Sequence, residues 1–172
     1  MSVKDSSGQV LAPGSYTLTS VSGQNYLTAA TDPVVFSKWA GLNNLTGADA
    51  LPLSDTNNNG VPNLLEYAFG QDPVAPGLKG GPVADSVMEN GQRYLTLAYE
   101  RPAGAGKRSD LTYVPERATS LNPSNWSAAA AAVISTTAPL ESGTTETVTV
   151  RSMRPNTGGS EFLRLKVILP QL

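Results

Sequence analysis

The stretch DTNNNGVPNLLE, Asp55 to Glu66, carries oxygen-bearing side chains at regular intervals. Counted from Asp55 as position 1, Asn57 stands at 3, Asn59 at 5, Gly60 at 6, Val61 at 7, Asn63 at 9 and Glu66 at 12. This is D-x-[DN]-x-[DN]-G-x5-E at full length, the loop pattern that wraps a calcium ion. Calcium takes roughly six to eight hard oxygens at about 2.3–2.6 Å in a loose geometry. Alternate residues of a tightly wound loop point inward, so Asp55, Asn57 and Asn59 are expected to offer side-chain oxygens. Gly60 permits the sharp turn that aims the Val61 carbonyl at the ion. Asn63 binds directly or through a water, and Glu66 closes the site with both oxygens. The plainer reading is a polar Asn-Gly turn that opens a helix. Such a turn requires neither Asp at the first position nor Glu at the twelfth. Only Asp55 and Glu66 are anions, so the expected affinity is roughly 10⁻⁴–10⁻³ M. That suits a structural ion kept in place where calcium is plentiful. Asp49 and Asp72 flank the loop; either could add a ligand or cap a helix, and a capping or supporting role is favoured.

Other chemistry is poorly supplied. The chain has no histidine and no cysteine. That removes the commonest general base, the Ser/His/Asp triad, thiolate zinc sites and a disulfide framework. Glu100, Glu116, Glu141, Glu146 and Glu161 are the raw material for a carboxylate pair, but no local spacing selects two of them. GAGKRSD holds Gly-Lys without the rest of a phosphate loop, and reads as a solvated loop. Trp39, Trp126 and the six tyrosines are candidates for a sugar-stacking platform, against the default of buried aromatic packing. No enzymatic activity is expected.

The elements that must position the loop follow from pattern. In 172 residues, 40% are hydrophobic and 15% charged, with a formal net charge of -2. Nucleic acid needs clustered Lys and Arg, so it is not an expected partner. No apolar run is long enough to span a membrane. MSVKDSSGQV has no apolar signal-peptide region, so an exported chain is expected to be the mature form. SYTLTSV and NYLTAA read as a hairpin. In DPVVFSKWAGLNNL, Asp32 is placed as a cap, Pro33 as the first helical residue and Gly41 as the residue that ends or weakens the helix. Pro62 opens a second helix carrying Leu64, Leu65, Ala68 and Phe69, and Gly70 ends it. QDPVAPGLKGGP reads as a linker. Beyond it the chain is β. Asn90-Gly91 is a hairpin turn, Pro115 marks an edge or bulge, SAAAAAVIS is irregular or strand-like, and TTETVTVRSM and EFLRLKVIL alternate. The expected fold is mainly β: an antiparallel, immunoglobulin-like β-sandwich with an inserted calcium-binding helix-loop-helix. The expected divisions are an N-terminal β segment at 1–31, the helix-loop-helix at 32–75 and the sandwich at 76–172.

GADALPLSDTNNNGVPNLLEYAFGQDP resembles a segment recurring near the C-termini of large secreted proteins of Verrucomicrobia and Planctomycetes. In that family an Asp/Asn-rich calcium loop leads into PNLLEYALG-DP and then a β-rich region. The family's second pattern, LTY-E-S-DL--W, is matched by Leu111, Thr112, Tyr113, Glu116, Leu121 and Trp126. The resemblance covers roughly Phe36 to Leu169, and the loop is similar to dockerin and thrombospondin type 3 loops. It implies an exported, calcium-stabilised β domain. This loop is richer in Asn than the family's, and the chain carries its own N-terminal β segment. The expected role is an extracellular or cell-surface structural protein. It self-assembles into fibre or matrix by β-strand addition, through SGQVLAPGSYTLTSV at the start and EFLRLKVIL at the end, with residues 1–31 either folded back on their own chain or donated to a neighbour. Partners are then copies of itself or other surface proteins. The alternative is a carbohydrate-binding or surface-attachment module that takes glycans.

Overall fold

Asn90 and Gly91 both take positive φ, +51° and +76°. That is the two-residue turn whose twist matches flanking strands, and it joins β3 (Val83–Glu89) to β4 (Gln92–Pro102) with Glu89 opposite Gln92. The computed structural model describes residues 16–21, 24–29, 34–76, 81–128, 131–137 and 145–170. The chain falls into two compact units, 1–33 and 34–172. In the first, β1 (Tyr16–Val21) pairs antiparallel with β2 (Gln24–Ala29), Leu18 opposite Leu27. The segment before Tyr16 and residues 22–23 lie outside the described residues. Asp32 and Pro33 lie outside them too.

The second unit is mainly β, and all its named strand pairs are antiparallel. β4 is central, flanked by β3 and by β7 (Thr145–Ser152), and β6 (Ala131–Thr137) lies outside β7. β5 (Thr112–Ala118) pairs with β8 (Phe162–Ile168) in a separate ribbon. Period-two alternation decides the face. Leu97 sits opposite Val150 and Tyr99 opposite Val148 in the β4–β7 ladder, and all four are buried. Tyr113, Leu163 and Leu165 from the ribbon and Phe69 pack on them. The Tyr99 and Tyr113 rings stack at 5.7 Å with 15° between planes. Burying each such side chain stabilises by about 1.5–3 kcal/mol.

Two short helices carry the rest. α1 (Phe36–Leu42) begins three residues later than Pro33 and continues through Gly41. Val35 occupies its cap position without a capping side chain. The Phe36 amide donates instead to Asp110 Oδ2 at 2.7 Å, from 74 residues away. α2 (Asn63–Phe69) follows Pro62 and ends at Gly70, as the sequence led us to expect. Phe36, Trp39 and Tyr67 form an aromatic cluster with centroids 5.4–5.5 Å apart, buried with Ala40 and Leu45. Trp39 is 5% exposed, so it has no face left for a sugar. Trp126 is half-buried, with the Arg164 guanidinium 4.0 Å over its ring.

Three tyrosines join these layers electrostatically as well as by packing. Tyr113 donates to the Ala68 carbonyl at 2.6 Å, and burial pushes its phenol up to about 12. Burial, then the hydrogen bond to Asp110, pushes Tyr67 up as well, and burial does the same to Tyr99. A phenol whose folded pKa exceeds its unfolded value stabilises the fold below the unfolded value. That contribution is lost as pH rises through the folded value. For Tyr113 the window runs from 10.0 to about 12. Alkaline titration is therefore expected to show phenolate absorbance from the buried tyrosines only together with loss of the far-ultraviolet signal. Ionisation of every tyrosine before any unfolding would contradict it.

Candidate metal centre

Side-chain oxygens wind the loop. Asp55 Oδ1 accepts from the Asn59 amide at 3.1 Å and Oδ2 from the Gly60 amide at 2.8 Å. Asn57 Oδ1 also accepts from the Asn59 amide, at 3.1 Å, and Asn59 Oδ1 accepts from the Val61 amide at 2.8 Å. These local bonds explain the preference for Asp and Asn, whose short side chains reach backbone two residues on. Asn58 (φ +55°) and Gly60 (φ +85°) take the left-handed conformations that close the winding. Asn58 is exposed, a spacer between two inward neighbours. The loop's ends are strapped together by backbone bonds from Asn63 to Ser54 (2.8 Å) and Leu64 to Pro52 (2.9 Å).

The winding brings Asn57 and Asn59 onto Glu66. Asn57 Nδ2 donates to Glu66 Oε1 at 2.9 Å and Asn59 Nδ2 donates to the same oxygen at 3.0 Å. Glu66 is 0% exposed, and its buried Oε2 has no hydrogen-bond partner among the described residues. Leaving a buried polar atom unsatisfied costs about 1–3 kcal/mol, and more for a charged group. Asn63, expected as a further ligand, is turned elsewhere. Its Nδ2 donates to the Asp49 carbonyl at 2.6 Å and the Leu51 carbonyl at 3.0 Å, and its Oδ1 accepts from Thr56 Oγ1 at 3.3 Å. It locks α2 to the preceding turn. Asp49 contributes its backbone carbonyl, and Asp72 Oδ1 caps the Val74 amide at 2.9 Å.

Do these residues suit a calcium ion? Among the described residues no three His, Cys, Asp or Glu gather, so carboxylates alone do not form a site. The loop has to add neutral oxygens, and it has them. An amide turned over by half a rotation exchanges its NH₂ for its oxygen. Asn57 and Asn59 face Glu66 as donors here; as oxygens lining a cation they would give up their Oδ1 bonds to the Asn59 and Val61 amides, and Asn57 its bond to the Ala75 carbonyl, which the ion would have to replace. The unpartnered Oε2 supplies the demand for positive charge. Asp55, Asn57, Asn59 and Glu66 would hold the ion, with the Val61 carbonyl. Asn63 is the member of the pattern that does not fit.

Sequence reasoning missed two contributors. Ala75 lies in the stretch read as linker, yet its carbonyl accepts from Asn57 Nδ2 at 2.9 Å, and Pro73 beside it is fully buried. Behind Glu66, Tyr67 donates its hydroxyl toward Asp110 Oδ1 (2.5 Å) and the Val34 carbonyl (2.7 Å). Arg108 lies 4.5 Å over the Tyr67 ring and donates to the Tyr67 carbonyl at 3.0 Å. No local spacing signals this cluster, because its members come together only on folding. Of the glutamates weighed for catalysis, Glu116, Glu146 and Glu161 each pair with an arginine. Glu141 lies outside the described residues.

No protein-family model, curated protein or solved structure matches this chain.

Proposed function

We propose that this chain is an extracellular structural subunit stabilised by calcium, which assembles with copies of itself by β-strand addition. Residues 34–172 serve as an antiparallel β-sandwich of immunoglobulin-like type, clamped at one corner by the metal loop. The observation that carries the calcium part is the buried Glu66 carboxylate with one oxygen unpartnered and two asparagine amides trained on the other. A site with two carboxylates needs calcium near the millimolar range, which favours the cell exterior. Support for assembly comes from the edges. Among the described residues, β3 and β6 end their sheet, and β8 pairs only with β5. Open edges recruit strands, and a head-to-tail contact that does not close makes a filament. The N-terminal strands are the donated element in this reading.

Sedimentation of the full chain tests it. Larger species are expected in calcium as concentration rises, shrinking when calcium is chelated. A chain that stays monomeric at high concentration in calcium would end the assembly reading.

A further inference from the structure

Edges differ in how they are protected. Natural sheets guard unpaired edges with charges, prolines and bulges. β3 carries Asp85 and Glu89, β8 carries Arg164 and Lys166, and β5 carries Pro115, Glu116 and Arg117. β6 is Ala-Ala-Val-Ile-Ser-Thr-Thr, with no charge, no proline and no glycine. It is the outer strand of the four-stranded sheet, paired on one side with β7. Its ladder slips between Val133 and Ser135, and Val133 and Ile134 stand exposed together at 53% and 45%. Among the described residues this bulge guards the edge, and it leaves two successive β-branched residues exposed.

We infer that β6 is an interface between copies of this chain. The β6 edge of one copy pairs antiparallel with the β6 edge of a second about a two-fold axis, joining two four-stranded sheets into one. Charge selects this occupant. In a two-fold pairing each strand meets its own sequence. β3 against β3 would bring Asp85 and Glu89 into one ladder with two more carboxylates, and β8 against β8 would bring Arg164 and Lys166 into one ladder with two more cations. Like charges facing across strands are destabilising. β6 meets itself without any charge, and its run of Val, Ile and Thr suits a pleated, half-buried surface. The pairing also covers Val133 and Ile134. This inference rests on the reading of the chain as a self-assembling subunit, and adds a closed contact to the open one proposed above.

Sedimentation velocity on the full chain in calcium, with variants, tests it. Val133→Lys and, separately, Thr136→Lys place a charge on the exposed edge, where melting should be unaffected. Each is expected to weaken the two-fold dimer by about tenfold or more, since the two-fold axis then brings two like charges into one short apolar ladder. Ser86→Lys, on the exposed part of β3, is the control and should leave the dimer unchanged. A second readout uses the absence of native cysteine. Val133→Cys, Ser135→Cys and Thr137→Cys are oxidised separately. Self-cross-linking should peak at one position and fall away on both sides. If both lysine variants assemble like the wild type, or none of the three cysteine variants cross-links to itself, β6 is not the interface, while strand addition elsewhere stands. A wild type that is monomeric throughout overturns both the inference and the reading beneath it.

Discussion

Chelation is expected to lower the unfolding midpoint of the wild-type chain by about 4–10 °C relative to about 10 mM calcium, and Glu66→Gln to erase that dependence. With an affinity of roughly 10⁻⁴–10⁻³ M, about 10 mM calcium is some 10- to 100-fold in excess, which stabilises by about 1.4–2.7 kcal/mol. The sign without metal is the sharper test. In wild type, among the described residues, Glu66 is buried with Oε2 unpartnered and no cationic side chain hydrogen-bonded to it. Glutamine keeps the shape and removes the charge. The Glu66→Gln variant is therefore expected to be as stable as the chelated wild type, or more so, and less stable than the wild type in calcium. Scanning calorimetry of both chains with calcium and with chelator gives four midpoints whose order must cross. Equal wild-type midpoints in the two conditions would remove calcium from the account. Glu66→Gln destabilised alike in both would make Glu66 a plain packing residue.

Asp110→Ala is expected to cost about 3 kcal/mol, and Tyr67→Phe about 2 kcal/mol. Asp110 serves two elements at once: Oδ2 takes the first amide of α1 at 2.7 Å, and Oδ1 takes the Tyr67 hydroxyl at 2.5 Å. α1 has no side-chain cap of its own and no acidic residue in its first turn, so Asp110 supplies both the acceptor and the negative charge that a helix start favours. Removing it leaves two donors without this acceptor beside the aromatic cluster. Tyr67→Phe keeps the ring packed against Phe36 and Trp39 and loses the hydroxyl alone. Because the two residues share one hydrogen bond, the double variant should fall short of the summed single losses by about 1 kcal/mol or more. Urea unfolding of the four chains measures it. Additive losses would show that the Tyr67–Asp110 bond carries no coupling.

The loop and the β elements were legible for different reasons. The loop's chemistry is local: Asp55, Asn57 and Asn59 satisfy backbone amides two to five residues on, so spacing alone reports the winding. Asn90-Gly91 and the alternation through Leu97, Tyr99, Val148 and Val150 are local in the same sense, since a strand's period of two is written in its own residues. Asn63 misled because two carbonyls from the preceding turn compete for its amide, and position in a motif does not report competitors. Trp39 likewise stays a platform candidate against the default of core packing until Phe36 and Tyr67 close around it.

By itself, then, the sequence determined what adjacent residues can settle: the wound loop, the helix between Pro62 and Gly70, the Asn90-Gly91 turn, the alternation of the β strands, and the absence of histidine and cysteine. Only the tertiary structure decided that Glu66 is sealed from water with an oxygen to spare, that Asp110 caps a helix 74 residues before it, and that the uncharged strand β6 lies at an edge. Burial, long-range capping and edge position are properties of which segments meet. Spacing along a chain fixes conformation within a few residues, while meetings are settled by the packing of the whole core.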